Sequence, residues 1–150
     1  METKHIVNEM FTDIERGKFD KANNLLSDNF KSTVLDKDVN KPAYITAYRS
    51  LLKGIPDLKF NVHSIRSDGN KVMAKLELSG THSKAIPAII KGWHEIPATH
   101  KRIDNLVTDL EITMTNDKIL EIKNAGSTRG LFKSLFEDYL GVDYKTIKAN

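Results

Sequence analysis

Apolar residues recur every three or four positions in the first third of the chain, which is the spacing of helices with one buried face. A first helix is predicted by Ile6, Val7, Met10, Phe11 and Ile14. Gly17 follows as its stop signal. Asp20 is the predicted N-cap of a short second helix.

A third helix is predicted after Asn40, whose side chain can cap the first turn, and Pro42 is tolerated within that turn. Its buried stripe is predicted to be Tyr44, Ile45, Tyr48, Leu51 and Leu52. Gly54 is predicted to adopt the left-handed conformation of a C-terminal cap, and Pro56 prevents the helix from continuing.

The period of the pattern then changes from about 3.6 to 2, which indicates strands with one buried face. Predicted strands begin near Leu58, Val72, Leu106 and Ile119. Asp68-Gly69 and Asn116-Asp117 are the turn signals between them. A last helix is predicted from about Gly130 to Leu140. Helices followed by successive strands predict an α+β fold with an antiparallel sheet.

Two long strands, 72–82 and 104–114, have apolar faces that match if paired residue numbers sum to 186. In this register Leu76 opposes Leu110, and His82 opposes Asp104. Opposed side chains in a sheet lie within hydrogen-bonding reach, so an imidazole and a carboxylate would meet at the rim of an apolar cavity. Such a pair can transfer protons. Asp109 falls on the outward face in the same register, as a second candidate acid.

The composition restricts the number of domains and the classes of partner, but it indicates no particular reaction. The chain has 150 residues, a net charge of +3 and no cysteine. This length suits one domain over residues 1–150. Basic and acidic residues alternate, as in Asp13-Ile14-Glu15-Arg16, so we expect a mixed-charge surface and no nucleic-acid partner. Since no apolar run nears the roughly 20 residues of a membrane span, and no signal-peptide core precedes the first helix, we expect a cytoplasmic protein without a membrane partner.

The segment from Ser83 to His100 interrupts the strand pattern and carries the chain's single tryptophan, Trp93. It is predicted to form either a short extra strand packed on the sheet or a flap over the pocket. His94, Glu95 and His100 do not have the spacing of a helical metal motif, so no metal site is expected.

Several short motifs, in the right order, resemble the SnoaL-like polyketide cyclases, which share the nuclear transport factor 2 fold. They are Gly17–Asp20, Ile55–Leu58, Leu78–His82, Ile96–Arg102, Asp117–Glu121 and Leu131–Leu135. His100 stands where the family usually has glycine. The resemblance covers nearly the whole chain. It implies that the N-terminal helices pack in the concave face of a curved antiparallel sheet, a cone-shaped α+β barrel.

The resemblance also implies a pocket acid that performs an aldol-type ring closure without metal or organic cofactor. It implies that His82 belongs to the site, and it leaves Asp104 and Asp109 both possible as the acid. Members commonly pair through the sheet, so a homodimer is expected. Other members of the superfamily are isomerases, dehydratases, epoxide hydrolases or ligand binders.

The predicted function is therefore cofactor-free acid/base catalysis on a small hydrophobic carbonyl compound. The alternative is a non-catalytic domain of the same fold that holds a small ligand or a protein partner. The pocket residues are predicted to be Tyr48, Phe60, Leu78, Trp93 and Thr108. The two functions differ in whether His82 and an aspartate converge inside a cavity.

Overall fold

A computed structural model describes residues 2–34, 38–125 and 130–148. The helices are α1 (Thr3–Glu15), α2 (Phe19–Asn24), α3 (Lys41–Gly54), α4 (Leu131–Lys133) and α5 (Tyr144–Ile147), with a π-helix at Ser134–Tyr139. The strands are β1 (Leu26–Ser32), β2 (Val39–Asn40), β3 (Lys59–Asp68), β4 (Lys71–Thr81), β5 (Arg102–Thr115) and β6 (Lys118–Asn124).

The strands form one curved, unclosed sheet in the order β2-β1-β6-β5-β4-β3. All neighbours are antiparallel except β1 and β6, which run parallel. Helices and sheet together confirm the predicted α+β architecture. The barrel does not close, because β2 and β3 remain as separate edges at opposite sides of the sheet.

Local signals placed most helices correctly. The Asn40 side chain accepts a hydrogen bond from the amide of Ala43 at 3.1 Å, as expected of an N-cap. The prediction for Asp20 was wrong, because the N-cap of α2 is Lys18, two residues earlier, and Asp20 lies in the first turn. Gly54 was also placed wrongly. It is the last helical residue, and a Cβ atom there would lie 2.2 Å from Cγ1 of Ile86. Close packing, not a left-handed backbone, requires this glycine.

The predicted inner face of the long strands is confirmed. Leu76, Leu110 and Ile112 are 0%, 1% and 0% exposed. The register, however, differs from the prediction by two residues, since Leu76 opposes Thr108 and Leu78 opposes Leu106. A shift of two keeps every side chain on its own face, because side chains alternate with a period of 2.

The C-terminal segment, residues 131–148, packs its apolar side chains into the core. Those of Phe132, Leu135 and Phe136 are fully buried. The predicted single helix is instead a short α-turn continued by the π-helix. Hydrogen bonds connect the segment to β5 and to the residue just before that strand. The Lys101 ammonium donates to the Leu140 carbonyl at 3.2 Å, and the Tyr139 hydroxyl donates to the Asn105 carbonyl at 3.2 Å.

The outer face of the sheet carries ladders of opposite charges, such as Lys71, Glu111 and Lys123 at 3.1–3.2 Å. Val107, 47% exposed, is the large apolar residue most open to solvent among the described residues. The homodimer through this face stays a prediction. No helix in the described ranges is long and apolar enough to cross a membrane.

Candidate functional site

The predicted pair of His82 and Asp104 is not formed. A β-bulge follows Leu78, and Asn105 takes a positive φ of 56°, so Gly80 opposes Ile103. The backbone of His82 therefore pairs with Lys101 and not with Asp104. Asp104 lies at the exposed side of the bulge with its side chain 61% accessible, where Arg102 Nε donates to Oδ1 at 3.0 Å.

Asp109, the second candidate acid, also lies outside the core. Its Oδ1 accepts a hydrogen bond from Lys75 Nζ at 2.8 Å, and both side chains are about half exposed. Neither aspartate therefore lies in the apolar cavity where the acid was expected.

His82 is fully buried and holds the segment that precedes β5. Its Nδ1 lies 2.9 Å from the Thr99 hydroxyl and accepts the Thr99 amide at 3.2 Å. Because the Thr99 amide donates to Nδ1, the proton of the neutral ring lies on Nε2. That atom is buried and has no hydrogen-bond partner within 3.5 Å among the described residues. The neighbouring His100 has a left-handed φ of 60°, which explains why glycine suits this position in the family that the chain resembles.

Burial, with a smaller contribution from His100, lowers the pKa of His82 below its ordinary value of 6.5. Between pH 6.5 and the lower pKa of the folded state, His82 is protonated in the unfolded chain but not in the folded chain. The free energy of unfolding should therefore fall as the pH falls through this range. His82→Asn keeps an acceptor at the Nδ1 position and removes the titration. Urea unfolding from pH 7.5 to 5 should give a shallower loss of stability for this variant than for the wild type. Parallel curves would contradict the assignment.

The segment between β4 and β5 is a packed part of the fold. Ile86 and Ile96 exchange backbone hydrogen bonds at 2.8 and 2.9 Å, and both side chains are buried. Ser50 Oγ of α3 also donates to the Ala88 carbonyl at 2.9 Å. The predicted extra strand is reduced to this single antiparallel bridge, and the alternative, a flap over the pocket, stays a prediction. His94, Glu95 and His100 do not converge, and no metal-binding group of three forms within the described ranges.

The predicted pocket residues divide into two groups. Tyr48, Leu78 and Thr108 are buried, whereas Phe60 and Trp93 are partly buried. The Trp93 ring packs edge-on against that of Tyr144, with ring centres 5.7 Å apart. Tyr48 lies at the centre of a set of aromatic rings between α3, α1, the sheet and the C-terminal segment. This ring cluster consists of Phe11, Phe30, Tyr44, Tyr48, Phe60 and Phe132.

Two hydroxyl groups stand inside this ring cluster. The Tyr44 and Tyr48 oxygens lie 3.4 Å apart, and the residues are 0% and 1% exposed. Burial raises the pKa of both phenols, so each remains a neutral donor at physiological pH. The sequence had placed both on the buried stripe of α3 as apolar residues. Their i, i+4 spacing, which brings the side chains together on a helix, was the signal that could have identified the pair.

The model of the SnoaL-like polyketide cyclase family matches residues 5–133. No curated protein matches the sequence closely enough to count as a relative. The chain belongs to the SnoaL-like polyketide cyclase family, as its motifs suggested.

Solved structures of the same fold are similar at low sequence identity. A SnoaL-like polyketide cyclase from Agrobacterium tumefaciens is 16% identical over 90% of this chain and 98% of its own, with a TM-score of 0.66. IdmH from Streptomyces antibioticus, described as a polyketide cyclase, is 13% identical over 90% and 99%, with a TM-score of 0.67. AclR from Streptomyces galilaeus, described as a hydroxylase, is 20% identical over 89% and 83%, with a TM-score of 0.65. At such identities the likeness concerns the fold.

Proposed function

We propose that the chain binds a small, largely apolar molecule within the ring cluster, and that Tyr44 and Tyr48 donate a hydrogen bond to an oxygen atom of that molecule. The observation that carries the proposal is the pair of hydroxyls enclosed by aromatic rings. The rings supply apolar contact, and the hydroxyls supply one directional contact. This combination is typical of small-molecule sites.

The number of hydrogen-bond donors and acceptors at the Tyr44–Tyr48 pair favours the binding of a ligand oxygen beside it. Two phenols carry two protons, but one contact between them can use only one, and 3.4 Å is long for an O–H···O bond. A buried hydroxyl without a partner costs free energy. A ketone or ether oxygen placed beside the pair would accept the second proton and relieve this cost.

Binding is better supported than acid/base catalysis by the position of the carboxylates. Asp104 and Asp109 engage Arg102 and Lys75 in solvent-exposed ion pairs. The one buried carboxylate within the described ranges is Asp13, and it lines a groove on the outer side of α1. None of the three accompanies the tyrosine pair as a proton acceptor. The alternative function predicted from the sequence, a non-catalytic ligand-binding domain, therefore agrees best with the geometry.

Room for the ligand would come from movement of the C-terminal segment. Phe132 contributes one ring of the cluster, 5.6 Å from that of Tyr48. The residues that follow it form a π-helix. This conformation is rare in proteins overall, and where it occurs it is often at a functional site. A small shift of this segment would exchange the Phe132 ring for a ligand ring.

The names of similar structures suggest the class of ligand. Two of them are called polyketide cyclases, and polyketides carry ketone oxygens on carbon skeletons. We therefore take a bicyclic aryl ketone as the first probe, with no assumption that this chain transforms it.

Calorimetric titration with 1-tetralone and with tetralin, which has the same skeleton and no oxygen, tests the proposal. The Tyr44→Phe/Tyr48→Phe variant should bind 1-tetralone about 5–10-fold more weakly, because one hydrogen bond is lost, and should bind tetralin as the wild type does. Replacing both partners of a buried hydrogen bond is nearly neutral for stability, so the variant should fold. Equal losses for both compounds, or binding of neither by the wild type, would contradict the proposal.

A further inference from the structure

A second candidate site lies on the surface, away from the ring cluster. A groove of about 330 Å³ is formed where α1 ends, α2 begins and α3 ends. Its apolar part consists of Phe19, Leu52 and Pro56. Gly17, at a φ of +73°, borders the groove, and a Cβ atom at this glycine would meet nothing within 4 Å. The groove is therefore open to solvent on that side.

Three cationic side chains surround this apolar surface. Arg16, Arg49 and Lys53 line the groove and are exposed. None of them forms an ion pair with a carboxylate of the described residues, although cations elsewhere on the surface, such as Lys71 and Lys75, do. The groove thus combines apolar surface with three cations that form no ion pair within the described part of the chain.

The acidic residue of the groove is directed elsewhere. Glu15 Oε1 accepts a hydrogen bond from the backbone amide of Phe60 at 2.7 Å, which fixes this carboxylate at the start of the edge strand β3. Helix C-termini favour cations, and this accounts for Arg16 and Lys53 at the ends of α1 and α3. It does not account for Arg49, which lies one turn before the end of α3.

Arg49 is held over the apolar part of the groove. Its guanidinium carbon lies 4.9 Å from the centre of the Phe19 ring, within the range of a cation–π contact. Stacking on a ring occupies the face of the guanidinium and leaves the N–H groups on its edge free to donate. These N–H groups form a planar fork that matches the two oxygens of a carboxylate.

We propose that this groove binds a small amphipathic carboxylate. The ring or short alkyl chain of the ligand lies on Phe19, Leu52 and Pro56, and its carboxylate is held by Arg49 with support from Arg16 and Lys53. The volume is at the lower end of the range for small-molecule sites, which suits a ligand with one ring. The proposal is independent of the site in the ring cluster, because the two share no residue.

Titration of the full chain with 3-phenylpropanoate, followed by amide NMR shifts, tests the proposal. Shifts should concentrate at residues 15–19 and 49–56. Arg49→Gln should weaken binding about 10-fold, because a charge-assisted hydrogen bond is lost. Lys4→Gln removes the same charge at the exposed far end of α1 and should change the affinity less than about twofold, because exposed charges at that distance are screened. Added salt should weaken binding for the same reason.

The neutral analogue 3-phenylpropanamide separates the carboxylate from the ring, and it should bind at least about 10-fold more weakly than the acid. Equal affinity for the two compounds would overturn the proposal. So would wild-type affinity in Arg49→Gln, shifts confined to the ring cluster, or the absence of shifts at millimolar concentration.

Discussion

Replacing Leu110 with alanine should lower the free energy of unfolding by about 2–5 kcal/mol. Leu110 is 1% exposed in the middle of β5, with β4 and β6 on either side of it. Its direct neighbour on β4 is the small residue Ala74, which cannot fill the vacated space. The loss therefore includes both the transfer of the side chain and the cavity that remains.

Val107→Ala is the matched control, because it lies on the same strand and is 47% exposed. This variant should change stability by no more than about 0.5 kcal/mol. Urea unfolding of both variants measures the difference. A loss below about 1 kcal/mol at Leu110, small for a buried leucine, would show that the face of β5 has been assigned wrongly.

Phe132→Ala should lower the free energy of unfolding by about 3–5 kcal/mol. Phe132 is fully buried and contacts both Tyr48 and Phe136, at ring distances of 5.6 and 6.1 Å. The same change should raise the affinity for 1-tetralone, because an apolar cavity next to the tyrosine pair accepts an aromatic molecule. The two effects have opposite signs, which distinguishes a site from ordinary core packing.

Leu135→Ala provides the control for Phe132→Ala. Leu135 is as fully buried in the C-terminal segment as Phe132, but it contributes no ring to the cluster around Tyr48. Its loss should destabilise the chain by about 2–5 kcal/mol without raising the affinity for 1-tetralone. An equal gain in both variants would indicate general loosening, and no gain at Phe132 would count against movement of this segment.

The sequence predicted the elements and their faces well, because both depend on local patterns. The Asn40 cap and the turns at Asp68-Gly69 and Asn116-Asp117 need only neighbouring residues. Asn116 and Asp117 indeed take left-handed conformations, at φ values of 47° and 63°. The family resemblance also rested on short motifs and is confirmed by the family match.

The register between β4 and β5 could not be predicted in the same way. No tight turn joins these strands, and shifts by two residues bury the same side chains. The bulge is even harder to predict from the sequence. It depends on a left-handed conformation at Asn105, and such a conformation is uncommon for residues other than glycine. For this reason the pairing of His82 with Asp104, which required both features, was wrong.

The tyrosine pair was missed for a different reason. A periodic pattern treats Tyr44 and Tyr48 as apolar, because their rings fill the same positions as phenylalanine would. Only the packing of Phe30, Phe60 and Phe132 around them shows that their hydroxyls are enclosed. The chemistry of a buried polar atom depends on residues that are distant in sequence.

The most direct measurement of the proposed site is the infrared carbonyl stretch of bound 1-tetralone labelled with ¹³C at the ketone. A hydrogen bond from buried phenols lowers this frequency, so the wild-type complex should absorb below the Tyr44→Phe/Tyr48→Phe complex. The variant complex should absorb close to the ketone in an alkane solvent. A band at the same frequency in both complexes would contradict hydrogen bonding by the tyrosine pair, and with it the proposed function.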